Sequence, residues 1–437
     1  NGNGSTIFGA AVGISQHTTK LPIKVEINGG TFEGHTPFYQ ANPQNNPQDA
    51  LDKIELRING GTFTPTNGGT KAVYSQNFKG FIVGGTFNDA TQSAEYWAVA
   101  KVGDKFYGDL QKAVDAANDG DEIKLLSDIT PDKVIEIKKS ITIDGDWHTL
   151  DSSASRWIWI EAPDVNVFIK NLTVKSTNKK MERAIQVNDY KDITLNLDNC
   201  DLSASAYTIN VINGALNTKM NISNSRVTGW SAINLWGKGG KVNISDSTLV
   251  GINNRPYNKD WRNNFWTLVI EWDTTNVTDI HAEAYDVILM NTKIESRVET
   301  EGNKQDAILF NNPSSSNRVV VDGSSVLQYE GSSLVSLGWD KNKLILNSGI
   351  YSSDPKVKYL WETKCSIKNS DSKYEVKDCP AETRFYGSSN TGYVPVALDG
   401  ETIKLNETHA LMRKVTGMSP EMTTVYNKIL EFADTTG

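Results

Sequence analysis

Large aromatic side chains concentrate between residues 251 and 286, where they lie among arginines and carboxylates. Four of them fall within twelve positions: Trp261, Phe265, Trp266 and Trp272. The charged residues around them are Arg255, Asp260, Arg262, Glu271 and Asp273. Indole faces stack on sugar rings, and neighbouring guanidinium and carboxylate groups hydrogen-bond to hydroxyls. This segment is therefore a candidate binding site for a glycan or for a partner protein.

Two residues of this segment are the strongest binding candidates. Trp261 and Trp266 are each flanked by polar residues, and neither sits in a clear strand alternation. Trp272 follows TLVIE and is expected to pack within a strand. Trp230 and Trp236 bracket a strand in GWSAINLWGKGG and extend the candidate surface. The alternative is that these aromatic side chains only pack the segment onto the body of the protein.

The sequence offers no metal-ligand pattern and no recognisable catalytic set. Its histidines are scattered without metal-ligand spacing: His17, His35, His148, His281 and His409. No calcium-binding loop of the DxDxDG type occurs. Acidic residues on separate strands form a catalytic pair only if the register brings them together, so catalytic residues stay unassigned. We predict neither a metal nor a cofactor.

One short phrase recurs along the chain and defines the elements that must position these side chains. It reads IKVEINGGTFEG near the N-terminus and LNLDNCDLSA or VNISDSTLVG later. Each copy has an aliphatic anchor: Ile27, Ile58, Ile82, Ile143, Ile169, Leu197, Ile222, Ile244, Leu289, Val321 and Ile345. Two residues after every anchor is Gly, Asn or Asp. Five residues after it is an apolar residue in ten of the eleven copies, Ile350 in the last.

Repetition at this period, mostly 22 to 32 residues, indicates a solenoid. Each phrase is a short alternating strand, a bend that tolerates left-handed backbone, and a second strand. Because most units contain no helix, we predict an all-β fold, a parallel β-helix. Stacked bends bring Asn side chains above one another, where they can form hydrogen-bonded ladders, so these residues are predicted to be structural.

Interruptions of the period predict four regions. Residues 1–97 carry the GGTF repeats, and residues 98–121 hold a strand and a short amphipathic helix that caps the next stack. Residues 122–380 form the main solenoid. Its insertion at 251–286 widens one anchor gap to 45 residues, through either one diverged repeat or a projecting loop. Residues 381–437 form an appendage with a helix at about 420–434, because Ser419 and Pro420 are good helix-start residues.

The helix within 98–121 has recognisable ends, with Asp109 as its N-cap and Gly120 as its C′ residue. Cysteine is scarce: Cys200 follows a ladder Asn and is expected in the core, whereas Cys365 and Cys379 flank a predicted hairpin and could pair. The net charge of −8 without a basic cluster argues against nucleic acid as a partner. No apolar run is long enough to cross a bilayer, so no direct membrane insertion is predicted.

Two stretches of the chain resemble a known family. AVAKVGDKFYGDLQKAVDAANDGDEIKLLSDIT resembles the opening of pectate-lyase-like right-handed parallel β-helix domains in large surface proteins of Gram-positive gut bacteria. SGIYSSDPKVKYLWETKCSIKNSDSKYEV resembles their closing phrase. The similarity covers roughly residues 20–380. It implies a right-handed parallel β-helix and an extracellular location, secreted or at the cell surface, whereas the functions found on this fold are diverse.

Motifs of the polysaccharide-degrading enzymes on this fold are missing from the sequence. WxDH, RxPxxR, GHG, GxxDFxFG and DPHE do not occur, and Arg255-Pro256 lacks the second arginine. We therefore predict an adhesin-like module that binds a polysaccharide or other glycan, or a host or partner protein. The alternatives are a polysaccharide lyase or glycoside hydrolase that works in a groove along the β-helix flank, and a purely structural stalk.

Overall fold

The computed structural model describes residues 9–89, 94–257, 259, 263–271, 284–311, 316–337, 342–355, 359–361, 364–379, 383–387, 396–398, 401–404 and 409–413. The protein is all-β with large parallel sheets. The chain forms two compact units: unit 1 comprises residues 1–129 and 141–149, and unit 2 comprises residues 130–140 and 150–437. The predicted helix at 420–434 lies outside the described residues, and the predicted domain boundaries stay predictions.

The secondary structure is dominated by short strands. The first fourteen are β1 (Val12–Ser15), β2 (Ile23–Ile27), β3 (Thr31–Gly34), β4 (Phe38–Ala41), β5 (Ile54–Ile58), β6 (Thr62–Pro65), β7 (Val73–Ser75), β8 (Thr86–Phe87), β9 (Ala100–Val102), β10 (Lys105–Tyr107), β11 (Glu122–Leu125), β12 (Ile135–Ile137), β13 (Ile141–Asp144) and β14 (Thr149–Asp151). The helices are α1 (Gln48–Leu51), a 3₁₀ turn (Ala94–Tyr96) and α2 (Leu110–Ala116).

The later strands follow the same pattern. They are β15 (Arg156–Ile160), β16 (Asn166–Lys175), β17 (Arg183–Val187), β18 (Thr194–Ser203), β19 (Tyr207–Val211), β20 (Leu216–Ser223), β21 (Arg226–Gly229), β22 (Ser231–Leu235), β23 (Lys238–Ser245), β24 (Thr248–Asn253), β25 (Asn264–Glu271), β26 (Tyr285–Met290), β27 (Lys293–Val298), β28 (Lys304–Asn311), β29 (Arg318–Asp322), β30 (Ser324–Leu327), β31 (Val335–Leu337), β32 (Lys343–Leu346), β33 (Gly349–Tyr351), β34 (Lys364–Lys368), β35 (Tyr374–Asp378), β36 (Thr383–Gly387), β37 (Val396–Leu398), β38 (Glu401–Lys404) and β39 (His409–Arg413).

In unit 1 the GGTF repeats pair in parallel and stack their phenylalanines. The anchors Ile27 and Ile58 are register partners in β2 and β5, and Ile58 forms a bridge to Ile82. The rings of Phe32, Phe63 and Phe87 stack at centroid distances of 4.7 and 5.0 Å. In these repeats the left-handed residue is the second glycine of each pair, one position later than predicted: Gly30, Gly61 and Gly85.

Glycine is required at that position for a second reason. Gly61 has φ of 113°, and a Cβ atom there would lie 3.2 Å from the carbonyl oxygen of Gly30 and 3.2 Å from the Phe32 ring. A side chain would therefore meet both an unfavourable backbone region and a close neighbour. The GG pair lets each bend approach the phenylalanine stack.

The predicted amphipathic helix is α2, in unit 1. The Asp109 side chain accepts a hydrogen bond from the Lys112 backbone N–H at 3.0 Å, so its predicted N-cap role is confirmed. The C-cap is Ala117, and Gly120 lies in the following turn with φ of 88°, so the prediction of Gly120 as C′ is wrong. The role of this helix as a cap of the main stack stays a prediction.

Unit 2 contains three long parallel ladders. The first ladder joins β16, β18, β20, β23, β26, β29 and β32. The second joins the end of β18 to β21, β24, β27, β30 and β33. The third joins β12, β15, β17, β19, β22, β25, β28 and β31.

The predicted anchors of unit 2 are register partners along the first ladder, and each is at most 1% exposed: Ile169, Leu197, Ile222, Ile244, Leu289 and Val321. Their apolar partners five residues later form the second ladder in the same way, from Leu202 through Val227 to Val326. The last repeat departs from the prediction by one residue. Val321 pairs with Leu346 rather than Ile345.

The same one-residue shift affects the partner predicted for that repeat. Val326 pairs with Tyr351, which is fully buried, whereas Ile350 is 39% exposed. Successive strand residues point to opposite sides, so a one-residue error exchanges the buried set for the exposed set. The predictions of Ile345 and Ile350 as core residues are therefore wrong.

The long gap between two anchors does not hide a missing repeat. Ile244 and Leu289 are direct register partners, and β25 supplies the strand of the third ladder between them. The additional residues fall in the two connections that flank β25. The gap is thus one repeat with two enlarged connections, of which residues 258, 260–262 and 272–283 lie outside the described part of the chain.

Left-handed asparagines occur at the bends as predicted, whereas the amide ladder is formed by a different set of asparagines, within the strands. Asn171, Asn199, Asn224 and Asn291 all adopt left-handed φ values between 47° and 53°. Side-chain amides also bond along the stack on the solvent side. Their distances are 2.6, 2.8 and 3.0 Å along the series Asn166, Asn196, Asn221 and Asn243. These residues therefore have a structural role.

The hairpin formed by β34 and β35 is closed by a disulfide between Cys365 and Cys379, whose Cα atoms are 5.1 Å apart. Cys200 is buried and free, and burial raises the pKa of its thiol to about 12. Cys365 and Cys379 thus form the disulfide that the sequence left open, and Cys200 is an unreactive core residue.

Ile222 provides a test of the register. Its side chain is 1% exposed between Leu197 and Ile244, so Ile222→Asp should lower the free energy of unfolding by roughly 4 kcal/mol through a buried, unpaired carboxylate. Denaturant unfolding followed by circular dichroism measures the change. Lys219→Asp introduces the same carboxylate at an exposed position nearby and should have a far smaller effect. Equal effects of the two variants would contradict the register.

Removal of the disulfide should destabilise the end of unit 2. Cys365 and Cys379 are 14 residues apart, and closing a loop of this size stabilises by about 3 kcal/mol in the chain-entropy model. In the Cys365→Ser/Cys379→Ser variant, the backbone amide hydrogens of β34 and β35 should therefore exchange faster, as measured by hydrogen-exchange mass spectrometry. The amides of β20 to β24 serve as the internal reference, and unchanged protection of the hairpin would show that the disulfide is dispensable.

Candidate functional site

The outer face of the third ladder carries the candidate site. In β15 two consecutive residues, Trp157 and Ile158, are both fully buried. The register between β15 and β17 is the same on both sides of Trp157, and Ala184 and Ile185 of β17 are likewise both buried, so the alternation of side chains breaks at the same point in both strands. As a result, Arg156 and Trp159 both remain partly exposed on the outer side although three positions separate them.

Two rows of side chains run across this face from strand to strand. The first row begins with Arg156, Arg183 and Tyr207, at the starts of successive strands. The second row consists of Trp159, Gln186, Asn210, Asn234, Val269 and Leu309, which are register partners from β15 to β28. Strands lie about 4.8 Å apart, so this row extends over roughly 24 Å.

Amide side chains of the second row are linked to their neighbours. The Arg156 Nε–H donates to Gln186 Oε1 at 3.0 Å, and the Gln186 amide donates to Asn188 Oδ1 at 2.6 Å. The Asn234 amide donates to Asn210 Oδ1 at 2.9 Å. Gln186, Asn210 and Asn234 are at most 8% exposed, so these bonds hold the amide groups in defined orientations.

An aromatic cluster adjoins both rows. It is formed by buried Trp230, Phe265, Trp266, Val269 and Leu309, with the partly buried ring of Tyr207 packed against them. Trp230 stacks on Phe265, and the guanidinium of Arg255 lies over the Trp230 ring, 3.3 Å from its centroid. The Ser231 hydroxyl donates to the Trp266 carbonyl oxygen.

The structure thus brings together four of the residues that the sequence singled out: Trp230, Phe265, Trp266 and Arg255. Trp236 directly follows β22 and is partly buried, and its backbone N–H donates to the Val211 carbonyl oxygen at 2.9 Å. The remaining predicted site residues, which are Trp261, Trp272, Asp260 and Arg262, lie outside the described residues.

The environment of Trp266 differs from the expectation. Trp266 lies inside β25 and is 8% exposed, whereas the sequence placed it outside a clear strand. Trp230 and Phe265 are 7% and 9% exposed. Burial of this extent gives these rings a packing role and leaves little of their surface for a ligand.

Sequence reasoning missed most of the two rows. The site residues predicted from the sequence do not include Arg156, Trp159, Arg183, Gln186 or Asn210. Each of these residues precedes or interrupts an aliphatic run, as in RWIWI and RAIQV. Aligning these aliphatic runs with one another, in addition to the anchor phrases, would have identified these residues from the sequence.

Several buried polar atoms near the outer face have no hydrogen-bond partner in the described structure: Trp159 Nε1, Arg183 Nε, Trp230 Nε1, Asn234 Oδ1 and Asn264 Oδ1. They include three donors and two acceptors. Buried polar atoms in native proteins are nearly all bonded to protein groups, water or ligand. These atoms are almost fully enclosed, so enclosed water rather than a ligand on the outer face is the partner that they can take.

Positive charge exceeds negative charge around the first row. Burial, and then the neighbouring guanidinium of Arg156, lower the pKa of Arg183 from its ordinary value. Burial also lowers the pKa of Arg255. Glu182 lies 3.5 Å from Nη1 of Arg183, and in the described part of the chain no carboxylate pairs with Arg156 or Arg255.

The described residues contain no cluster of three or more His, Cys, Asp or Glu residues that could hold a metal ion. No helix among them is long and apolar enough to span a membrane. Comparisons with protein-family models, with curated proteins and with solved structures each find no match to this chain.

Trp266→Ala tests whether the aromatic cluster supports the fold. Because Trp266 is buried against Val269 and Leu309, its truncation should lower the free energy of unfolding by about 3 kcal/mol. Trp361, which is 48% exposed, offers a matched control, and Trp361→Ala should change stability little. Chemical denaturation of both variants decides the matter: equal stabilities would mean that Trp266 has no packing role.

Proposed function

We propose that this protein is a right-handed parallel β-helix module of the pectate-lyase-like kind. Three parallel ladders in register, repeats of 22 to 32 residues and left-handed Asn bends support this proposal. The disulfide supports a location outside the cytoplasm, secreted or at the cell surface, because such bonds persist in oxidising compartments. In this proposal the module is adhesin-like and acts by binding.

The ligand that we propose is a glycan bound along the outer face of the third ladder. The observation that carries this proposal is a group of partly exposed side chains on the adjacent strands β15, β17 and β19: Arg156, Trp159, Arg183 and Tyr207. Aromatic rings can stack on a sugar ring, and guanidinium groups can donate to its hydroxyls. The row amides of Gln186, Asn210 and Asn234 are at most 8% exposed, so they hold this surface in place rather than contact a ligand.

The chemistry of these side chains favours a glycan over a partner protein. Protein interfaces are centred on large, exposed apolar or aromatic anchors. Here the aromatic residues of the cluster are buried, whereas the partly exposed side chains are mainly polar or amphipathic: Arg156, Trp159, Arg183 and Tyr207. Sugars suit this mixture, because their hydroxyls accept from guanidinium N–H groups and their ring faces stack on aromatic side chains.

Glycan arrays probed with the full chain test this proposal. Trp159→Ala should weaken binding by about tenfold or more, because stacking of one ring is lost, while the melting temperature changes little for a partly exposed side chain. Trp147→Ala is the control, since Trp147 is 72% exposed and belongs to unit 1. Equal binding by both variants, or no glycan bound by the parent, would reject the site.

The same samples separate binding from catalysis. Glycans that bind the chain should keep their length after prolonged incubation, as measured by size-exclusion chromatography. Shortened products that disappear in the Trp159→Ala variant would instead support a lyase or hydrolase on this face.

A further inference from the structure

Two arginines lie opposite each other on adjacent strands of the outer face. Arg156 of β15 and Arg183 of β17 are register partners. Like charges directly opposite in a sheet destabilise the pair, so this arrangement requires compensation. Burial makes the requirement stronger, because only 21% of the Arg183 side chain is exposed.

The protein itself compensates this charge only in part. Arg156 donates to the neutral groups Gln186 Oε1 and Ser155 Oγ, at 3.0 and 3.4 Å. Glu182 lies near Arg183, but 56% of its side chain is exposed and the distance is 3.5 Å, so this ion pair is weak. Arg183 Nε has no partner among the described residues.

A third guanidinium continues the same surface through aromatic contacts. Arg183 lies 5.9 Å from the Tyr207 ring centroid, Tyr207 lies 5.8 Å from the Trp230 ring, and Arg255 stacks on Trp230. Each of the three guanidinium groups therefore lies near an aromatic ring of this surface, in a chain whose net charge is −8. The excess of positive charge is local, and it is opposite in sign to the protein as a whole.

We infer that Arg156, Arg183 and Arg255 form an oxyanion subsite, so that the glycan bound by this face is acidic and carries carboxylate or sulfate groups. This inference rests on the proposed function. Guanidinium groups present planar N–H forks that bind such oxyanions through paired, charge-assisted hydrogen bonds. A carboxylate or sulfate between Arg156 and the exposed part of Arg183 removes the repulsion between the two guanidinium groups. The adjacent rings of Tyr207 and Trp159 stack on the sugar.

The remaining carboxylates near the face do not occupy this subsite. Glu161 accepts a hydrogen bond from the Asn188 amide. Asp306 accepts one from the Asn264 amide at 2.7 Å and belongs to β28, four strands from Arg183 in the third ladder. Among the described residues, the carboxylate that contacts this subsite is therefore that of Glu182, in its weak pair with Arg183.

Polymers that share one backbone and differ only in charge test the inference. Dextran, carboxymethyl dextran and dextran sulfate of equal length serve as probes for the full chain in isothermal titration calorimetry at two salt concentrations. At least one anionic polymer should bind about tenfold or more tightly than dextran, and added salt should weaken that binding. The preferred anion distinguishes carboxylate from sulfate recognition. Equal affinity for all three polymers overturns the inference.

Variants assign the effect to the subsite. Arg156→Gln/Arg183→Gln should abolish the preference for the anionic polymer. Arg318→Gln is the control: it removes a guanidinium from an exposed ion pair with Asp286, and the preference should remain. A purely structural role of the two arginines predicts a lower melting temperature of the double variant without ligand. Relief of repulsion predicts an unchanged or higher one. Retained preference in the double variant contradicts the subsite.

The design separates failure of this inference from failure of the proposed function. If neutral glycans bind and Trp159→Ala weakens them while charge has no influence, the glycan site stands and the acidic ligand is wrong. If anionic polymers bind equally well to the parent and to Trp159→Ala, the attraction lies elsewhere on the chain and both proposals fail.

Discussion

Inward-facing aliphatic residues stack in register from each strand to the next, and every other feature of unit 2 depends on this stacking. Ile222 between Leu197 and Ile244 is representative: it is buried on both sides by equivalents from neighbouring repeats. Burial of each such side chain stabilises by about 2 kcal/mol, and a slip of one residue would expose the whole set. The register is therefore strongly specified, even where the connections between strands differ in length, as in the repeat that contains β25.

Bends that keep this register are built in two chemically different ways. In unit 2 the left-handed position is mostly asparagine, and its amide can bond to the preceding repeat, as that of Asn224 does with Asp198. In the GGTF repeats the left-handed residue is glycine, which allows the backbone to lie against the stacked rings of Phe32 and Phe63. Both solutions stack identical groups along the ladder, so each repeat stabilises its neighbours rather than itself.

The outer face of the third ladder departs from this local consistency. Arg156 opposes Arg183, and polar atoms of Trp159 and Asn234 are left without partners in the described structure. Such features are unfavourable for folding and tend to persist where a ligand uses them. The ladder tolerates them, because buried aliphatic residues on either side, such as Ile158 and Ile160, supply the stabilisation. Because the strands pair in register, equivalent outward-facing side chains lie on adjacent strands, and this arrangement forms the candidate binding surface.

Local pattern in the sequence determined the all-β class, the anchors from Ile169 to Val321, the Asp109 cap and the left-handed asparagines, because each depends on residues within one phrase. The last anchor was misplaced at Ile345 because LILNS has aliphatic residues on both sides of the strand, so alternation alone does not choose between Ile345 and Leu346. Only the tertiary structure decided that Trp266 is buried and that Arg156 faces Arg183. These facts depend on pairing between residues a repeat or more apart, and connections of unequal length hide that pairing from the sequence.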